Sequence, residues 1–131
     1  MGVADQLNAD PLPLARHLGI EVVEAELRRV VARLTVRAEL CTSGGILHGG
    51  AFMALADTAG AIGASLNLVA GTNTTTIESK TNFLGSAALG VVVTAEATPV
   101  HIGRRSSVWQ TRITNPDGKL LALVTQTQLV I

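Results

Sequence analysis

The longest hydrophobic stretch of the chain covers residues 48–68 and has the sequence HGGAFMALADTAGAIGASLNL. Alanine dominates it, and larger apolar side chains recur at Phe52, Leu55 and Leu66. About 20 such residues would be long enough to cross a membrane as a helix. A glycine pair at its start, a charge near its middle at Asp57 and amphipathic segments on both sides favour instead a helix buried in the core of a domain.

Segments with the alternating pattern of β-strands flank this helix. They cover residues 20–27 and 30–36 before it, and residues 74–84, 91–101, 106–113 and 120–131 after it. Turns are predicted at Arg28-Arg29, at Gly103 and at the NPDG sequence of residues 115–118. A short helix is predicted over residues 12–18, with prolines at its start and Gly19 just past its end. The pattern therefore predicts an α+β domain, in which an antiparallel sheet curls around one long helix.

Composition narrows the class of protein. The 131 residues fit one domain that can bury a sizeable core, and 47% apolar with 15% charged residues is typical of a globular chain. Ten basic and ten acidic residues cancel, which removes the electrostatic case for nucleic acid or an anionic membrane surface. One tryptophan, two phenylalanines and no tyrosine supply few platforms for base stacking.

Cysteine usage and the N-terminus indicate the compartment. Cys41 is the single cysteine, so no intrachain disulfide is possible and a reducing, cytoplasmic location is expected. The sequence MGVADQLNADPLP has neither a basic n-region nor an apolar h-region, so no signal peptide is expected. Cys41 has no recognisable base beside it, and a buried structural thiol is the preferred interpretation over a nucleophile.

Asp57 is the anomaly within the predicted core helix. Small residues surround it at helical spacing, and no lysine or arginine of the helix can pair with it. Burying an unpaired charge is costly, so such a carboxylate normally has a dedicated partner or a function. It could cap free N–H groups of a neighbouring element. It could also serve hydrolysis, either as a general base on water or as a nucleophile that forms an anhydride.

The start of the helix is the second candidate for chemistry. His48, Gly49 and Gly50 place unobstructed backbone amides at a helix N-terminus, where free N–H groups and the helix dipole favour negative charge. A developing oxyanion would be stabilised in the same way. The alternative is a tight turn that simply needs glycine. We find no nucleophile elbow, no metal-spaced cysteine and histidine cluster and no phosphate loop, so neither a metal nor a cofactor is expected.

These residues resemble a known family. The segment LHGGAFMALADTAG, followed by TTTIESKTNFLGSA, is similar to the hotdog-fold acyl-CoA thioesterases of the phenylacetate-degradation type. The resemblance extends from LGIEVVEAE to the final GKLLALVTQTQLVI, nearly the whole chain. It implies a hotdog fold, hydrolysis of an acyl-CoA thioester, and a homotetramer built as a dimer of dimers with its active site at the dimer interface.

The resemblance also implies a role for individual residues. Asp57 matches the acid that attacks or activates water, Gly49 the N–H that polarises the thioester carbonyl, and His48 the histidine that positions the thioester. Many relatives carry Asn or Gln six residues before this histidine, where this chain has Thr42, a shorter hydrogen-bond donor. Thr76, with Thr75 as the weaker choice, matches a hydroxyl that orients the water.

Binding of the coenzyme A moiety is assigned on the same basis. Gly50 at the helix start and Arg104 and Arg105 after Gly103 are the candidate substrate contacts, the arginines for the nucleotide phosphates. Solvated charges at a strand edge are the alternative explanation for the arginines. Two other functions stay open: an acyl-CoA-binding hotdog protein without turnover, and a hotdog dehydratase or hydratase, which would need a histidine paired with the acid.

Helix geometry adds a constraint on the site. Gly49 and Asp57 are eight residues apart, which is about 12 Å along an α-helix. A catalytic acid and an oxyanion donor must both lie within about 3 Å of one reacting group. One helix therefore cannot supply both groups to one thioester, whereas two antiparallel helices related by a two-fold axis can. We expect each site to combine Gly49 of one chain with Asp57 of another.

Overall fold

The computed structural model describes residues 2–131 and contains one six-stranded antiparallel sheet packed against one long helix. The helices are α1 (Val3–Ala9), α2 (Pro13–Leu18) and α3 (Gly49–Leu66), with a short 3-10 turn at Ala38–Leu40. The strands are β1 (Glu21–Glu26), β2 (Arg29–Thr35), β3 (Cys41–Thr42), β4 (Ile46–Leu47), β5 (Thr74–Phe83), β6 (Val92–Ile102), β7 (Ser106–Thr114) and β8 (Leu120–Val130). The large sheet has the order β1-β2-β6-β7-β8-β5, which confirms the predicted α+β hotdog architecture.

The central helix is slightly shorter than the predicted range of residues 48–68. His48 is its N-cap, with extended backbone, and the helix ends at Leu66. Asn67 is the C-cap, where the N–H of Asn67 donates to Ala64 O and the N–H of Leu68 donates to Ser65 O. The side-chain amide of Asn67 donates to Leu27 O at 2.7 Å. This last contact fixes the helix end to the β1–β2 turn.

The β1–β2 turn and the N-terminal helix differ from the sequence prediction. The β1–β2 turn lies at Leu27–Arg28 and not at Arg28-Arg29, because Arg29 already pairs with Glu26 and its guanidinium binds Glu96 on β6. The N-terminal helix α1 was not predicted at all. Its Asn8 side chain makes two hydrogen bonds to the backbone of Val22 and so covers part of the edge strand β1.

The helix packs on the sheet through glycine as well as through large side chains. Phe52, Leu55 and Ile62 are buried, as expected for the apolar anchors of a core helix. A Cβ atom at Gly63 would lie 2.6 Å from the ring of Trp109, a fully buried residue of β7. The absence of a side chain at Gly63 therefore lets the helix backbone approach the sheet closely.

No helix among residues 2–131 combines the length and the apolar character needed to cross a bilayer. The α3 segment has 18 residues, and its buried face is filled by strands of the same chain. Its hydrophobicity is accounted for by packing against the sheet.

We predict that Gly63→Ala destabilises the protein although alanine is the better helix former. Replacing glycine inside a helix normally gains about 1 kcal/mol, whereas overpacking a tight core typically costs about 1–3 kcal/mol. The ring of Trp109 has no free space to move into, so we expect a net loss of at least about 1 kcal/mol in urea unfolding. Ser65→Ala, at an exposed position of the same helix, is the control and should stay within about 0.5 kcal/mol of wild type. A Gly63→Ala protein as stable as the control would contradict this packing.

Candidate active site

Asp57 lies half-buried on α3, and one of its carboxylate oxygens is bound by two side chains of the sheet. Its Oδ1 accepts a hydrogen bond from Thr76 Oγ1 at 2.6 Å and another from Gln126 Nε2 at 3.1 Å. The first donor comes from β5 and the second from β8. Hydrogen bonds to a charged acceptor are stronger than neutral ones, so the two donors compensate much of the cost of partial burial.

A bulge in β5 decides which threonine reaches the acid. The pairing of β5 with β8 shifts between Thr76 and Glu78, so that Thr76 turns toward the helix while Glu78 and Lys80 are exposed. Thr75 is exposed as well. Of the two hydroxyls suggested by the sequence, Thr76 is the one in contact with the acid.

The sequence also allowed Asp57 to cap backbone N–H groups of a neighbouring element. Within residues 2–131 both of its hydrogen-bond donors are side chains, those of Thr76 and Gln126. The capping interpretation is therefore wrong. The carboxylate belongs to a side-chain network, in which Gln128 Nε2 also donates to Thr76 Oγ1 at 2.7 Å.

The N-terminus of α3 presents one backbone amide without a partner. Gly50 N–H donates to His48 Nδ1 at 2.8 Å, and the amides of Ala51 and Phe52 bond to the carbonyl of His48. The Gly49 N–H has no acceptor among residues 2–131. Because His48 Nδ1 accepts a hydrogen bond, the neutral ring carries its proton on Nε2, which makes the exposed side of this histidine a donor.

A groove of about 350 Å³ opens beside the helix start. Its wall is mostly apolar and is formed by Leu14, Leu18, Leu40, Ala51 and Ala54. His48 and Gly50 line the groove as well, together with Glu39 and Cys41. An apolar groove that meets a helix N-terminus and a histidine has the composition of a small-molecule site.

One face of α3 is left uncovered by the sheet. Met53, Ala54, Asp57 and Ala61 are each partly exposed on it. Because α3 is a continuous helix from Gly49 to Leu66, its first amide and Asp57 are separated by about 12 Å along the axis. The structure thus does not bring the acid and the helix start of one chain together.

The remaining predicted residues lie at the periphery. Thr42 is exposed in the β3–β4 hairpin and does not line the groove. Cys41 is half-buried and not fully buried as expected, because it forms part of the groove, and its Sγ donates to Arg37 O at 3.4 Å. Arg104 and Arg105 are exposed in the β6–β7 turn, and neither forms an ion pair with another part of the described chain.

The three histidines lie on three different elements, α2, the start of α3 and β6. Residues 2–131 contain no group of three histidine, cysteine, aspartate or glutamate side chains placed to hold a metal ion.

Sequence reasoning missed Gln126 and Gln128, the two glutamines of the network. Both are almost completely buried on β8. A signal for them was present, since they follow Ala122 and Val124 at the period of two that marks the buried face of this strand. Two amides on an apolar face are unusual and indicate a polar partner beneath the helix.

Comparisons with known proteins identify the family. Residues 44–122 match the model of the thioesterase superfamily. The chain is 36% identical over 110 residues to 1,4-dihydroxy-2-naphthoyl-CoA hydrolase of Listeria monocytogenes, covering 84% of this chain and 89% of that protein.

Two solved structures are also similar. The thioesterase HI1161 of Haemophilus influenzae superposes with a TM-score of 0.91 at 32% identity, covering 100% of this chain and 92% of that one. The PaaI protein of the phenylacetic acid degradation operon of E. coli superposes with a TM-score of 0.89 at 26% identity, covering 98% of this chain and 91% of that one. The chain belongs to the thioesterase superfamily and is a thioester hydrolase with the hotdog fold.

Proposed function

We propose that this protein hydrolyses acyl-CoA thioesters to a free acid and coenzyme A, with Asp57 as the reactive group. The observation that carries the proposal is the half-buried Asp57 carboxylate, bound on one oxygen by Thr76 and Gln126. Such an acid, held at a fixed angle in a largely apolar helix, has the setting of a general base or a nucleophile.

Two routes are consistent with one carboxylate. As a base, Asp57 takes a proton from water, the resulting hydroxide adds to the thioester carbonyl, and the carbon–sulfur bond breaks as the tetrahedral intermediate collapses. As a nucleophile, Asp57 adds to the carbonyl itself, the thiolate leaves, and water hydrolyses the mixed anhydride. In both routes the thiolate receives the proton that water supplies, and the products are an acid and a thiol.

The Gly49 N–H is proposed to stabilise the oxyanion. It is the one amide of the helix start without a partner among residues 2–131. It lies at the N-terminus of α3, which is the positive end of the helix dipole. His48 Nε2–H is proposed to position the thioester beside it, and the exposed Thr42 is proposed as a further hydrogen-bond donor to the substrate.

Asp57 and the helix start of one chain are too far apart to act on one thioester, so we propose a site shared between two chains. The uncovered face of α3, with Met53, Asp57 and Ala61 partly exposed, is where a second α3 would lie antiparallel. The edge strand β5 adds exposed apolar side chains next to it, among them Ile77 and Phe83. A homotetramer would place two such dimers together.

The substrate is proposed to extend in two directions from the reacting carbonyl. The apolar groove beside His48 and Gly50 suits the acyl group. The exposed turn with Arg104 and Arg105 suits the coenzyme A phosphates. Arg105 O accepts a hydrogen bond from Val130, which pairs with Thr74, so this turn lies at the end of the sheet from which Thr76 comes.

We predict that Asp57→Asn lowers kcat by at least about 10²-fold and leaves the fold intact, because it removes the base or nucleophile without removing volume. The assay follows thiol release from a panel of aliphatic and aromatic acyl-CoA thioesters. The panel includes 1,4-dihydroxy-2-naphthoyl-CoA, the substrate in the name of the Listeria relative. Absorbance of an enoyl product is recorded in parallel, since it reports a dehydratase.

Circular dichroism and the urea midpoint of Asp57→Asn are the controls for folding. Near-normal turnover in this variant would exclude Asp57 as the reactive group. No thiol release from any member of the panel by the wild-type protein would contradict acyl-CoA as the substrate class.

We also predict that the protein is at least a dimer at micromolar concentration, because the exposed apolar face of α3 and β5 needs a cover. Sedimentation or light scattering should give twice or four times the chain mass of 13.6 kDa. A compact monomer under assay conditions would contradict the shared site.

A further inference from the structure

Gln126 is a buried amide that packing alone does not explain. It is completely buried on β8, between Ser79 on β5 and Trp109 on β7. Its Nε2 donates to Asp57, but its Oε1 has no hydrogen-bond partner among the described residues. A buried polar atom without a partner costs stability, and a leucine here would avoid that cost. Among residues 2–131 the contact with Asp57 is the one polar interaction that the side chain makes.

The orientation of this amide fits an ionised carboxylate. An ionised aspartate only accepts hydrogen bonds, so the NH₂ group of Gln126 is the end that must face it. The reversed amide would place Oε1 against Asp57 Oδ1 and would be repulsive. The side chain is completely buried and packs directly on Gly60 of α3, where a Cβ would lie 2.5 Å from Gln126 Cδ.

Gln128 fixes the direction of the Thr76 hydroxyl, which is the other donor to Asp57. Its Nε2 donates to Thr76 Oγ1 at 2.7 Å, and its Oε1 accepts from Thr74 Oγ1 at 3.1 Å. A hydroxyl has a single hydrogen. Because Thr76 accepts from Gln128, its own hydrogen is directed at Asp57 Oδ1, 2.6 Å away.

Both donors thus bind the same oxygen of the carboxylate. Asp57 Oδ1 accepts from Thr76 and Gln126, whereas Oδ2 has no hydrogen bond to residues 2–131. Two donors on one oxygen fix the rotation of the carboxylate and leave the other oxygen available to react.

We propose that Gln126, assisted by Gln128 through Thr76, is a positioning residue that binds Asp57 Oδ1 and so presents Oδ2 to water or to the thioester. This inference rests on the proposed function, in which Asp57 is the reactive group. Gln126 itself touches neither reacting atom. It acts on the angle at which Asp57 meets them.

Gln126→Leu tests the role directly, because it removes the donor and keeps an apolar side chain of similar size. We expect kcat to fall by about 10- to 100-fold while KM stays within about threefold. We also expect the urea midpoint to stay the same or rise, because the unpaired Oε1 is removed. A residue with a purely structural role would show the opposite result, lower stability with unchanged kcat.

Thr111→Val is the matched control. Thr111 is fully buried on β7, its hydroxyl also lacks a partner among residues 2–131, and it makes no hydrogen bond to Asp57. Its loss should leave kcat within about twofold of wild type. The comparison separates removal of a buried polar group in general from removal of the donor to Asp57.

Gln126→Glu gives a second, independent measurement with the shape of the side chain retained. While its carboxyl is protonated it can donate to Asp57 as the amide does, and once ionised it repels Asp57 at hydrogen-bond distance. The side chains that β5, β7 and β8 turn toward this pair are Thr76, Ser79, Trp109 and Gln128, none of which ionises near neutral pH. The ratio of its kcat to that of wild type should therefore fall at least about tenfold as pH rises.

The outcomes separate this inference from the proposed function. If Asp57→Asn keeps its turnover, the proposed function fails and the positioning role fails with it. If Asp57→Asn is inactive and Gln126→Leu keeps kcat within about twofold, or changes KM alone, only the positioning role is overturned. Should Gln126→Leu fail to fold, the kcat ratio of Gln126→Glu decides, and a ratio that does not change with pH overturns the proposal.

Discussion

A carboxylate on an apolar helix must be solvated by the protein around it, and most of this site follows from that requirement. Among residues 2–131 Asp57 forms no ion pair, and neutral donors supply its hydrogen bonds. They come from Thr76 and Gln126, on β5 and β8, which are neighbours in the sheet. The helix can approach the sheet closely because Gly60 faces Gln126 on β8, and Gly63 faces Trp109 on β7, without a side chain at the contact. The close approach of α3 to the sheet therefore serves both the packing of the core and the hydrogen bonds to Asp57.

The geometry of the helix sets the second condition. Its free amide at Gly49 and its acid at Asp57 are fixed about 12 Å apart by the rise of the α-helix. No local rearrangement shortens that distance without breaking the helix. A site that uses both groups must therefore combine two chains, and the partly exposed face of α3 provides a surface on which they can meet.

The sequence predicted what depends on local pattern. The long helix, its glycine start, the acid at Asp57 and most strands follow from periodicity and turn residues, and the resemblance pointed to Thr76. Gln126 lies 69 positions from Asp57, so only the strand register reveals the contact. The bulge that selects Thr76 over Thr75 is likewise set by pairing with β8. Helix α1 was missed because seven residues are marginal as a helix unless tertiary contacts such as those of Asn8 hold them.

The central claim, that each site combines Asp57 of one chain with Gly49 of another, is tested most directly by mixing two inactive variants, Asp57→Ala and Gly49→Pro. Proline should act mainly through loss of the amide hydrogen, because Gly49 is the first helical residue, its N–H is unbonded among residues 2–131, and His48 has the extended backbone that precedes proline. The added Cβ would lie 3.2 Å from the ring of Phe83, an exposed side chain that can shift. After unfolding and refolding at equal concentration, half of the dimers are hybrids, each with one intact and one doubly damaged site. The shared site predicts recovery of about a quarter of wild-type activity. No recovery, with hybrid dimers demonstrated by native mass spectrometry, would contradict it.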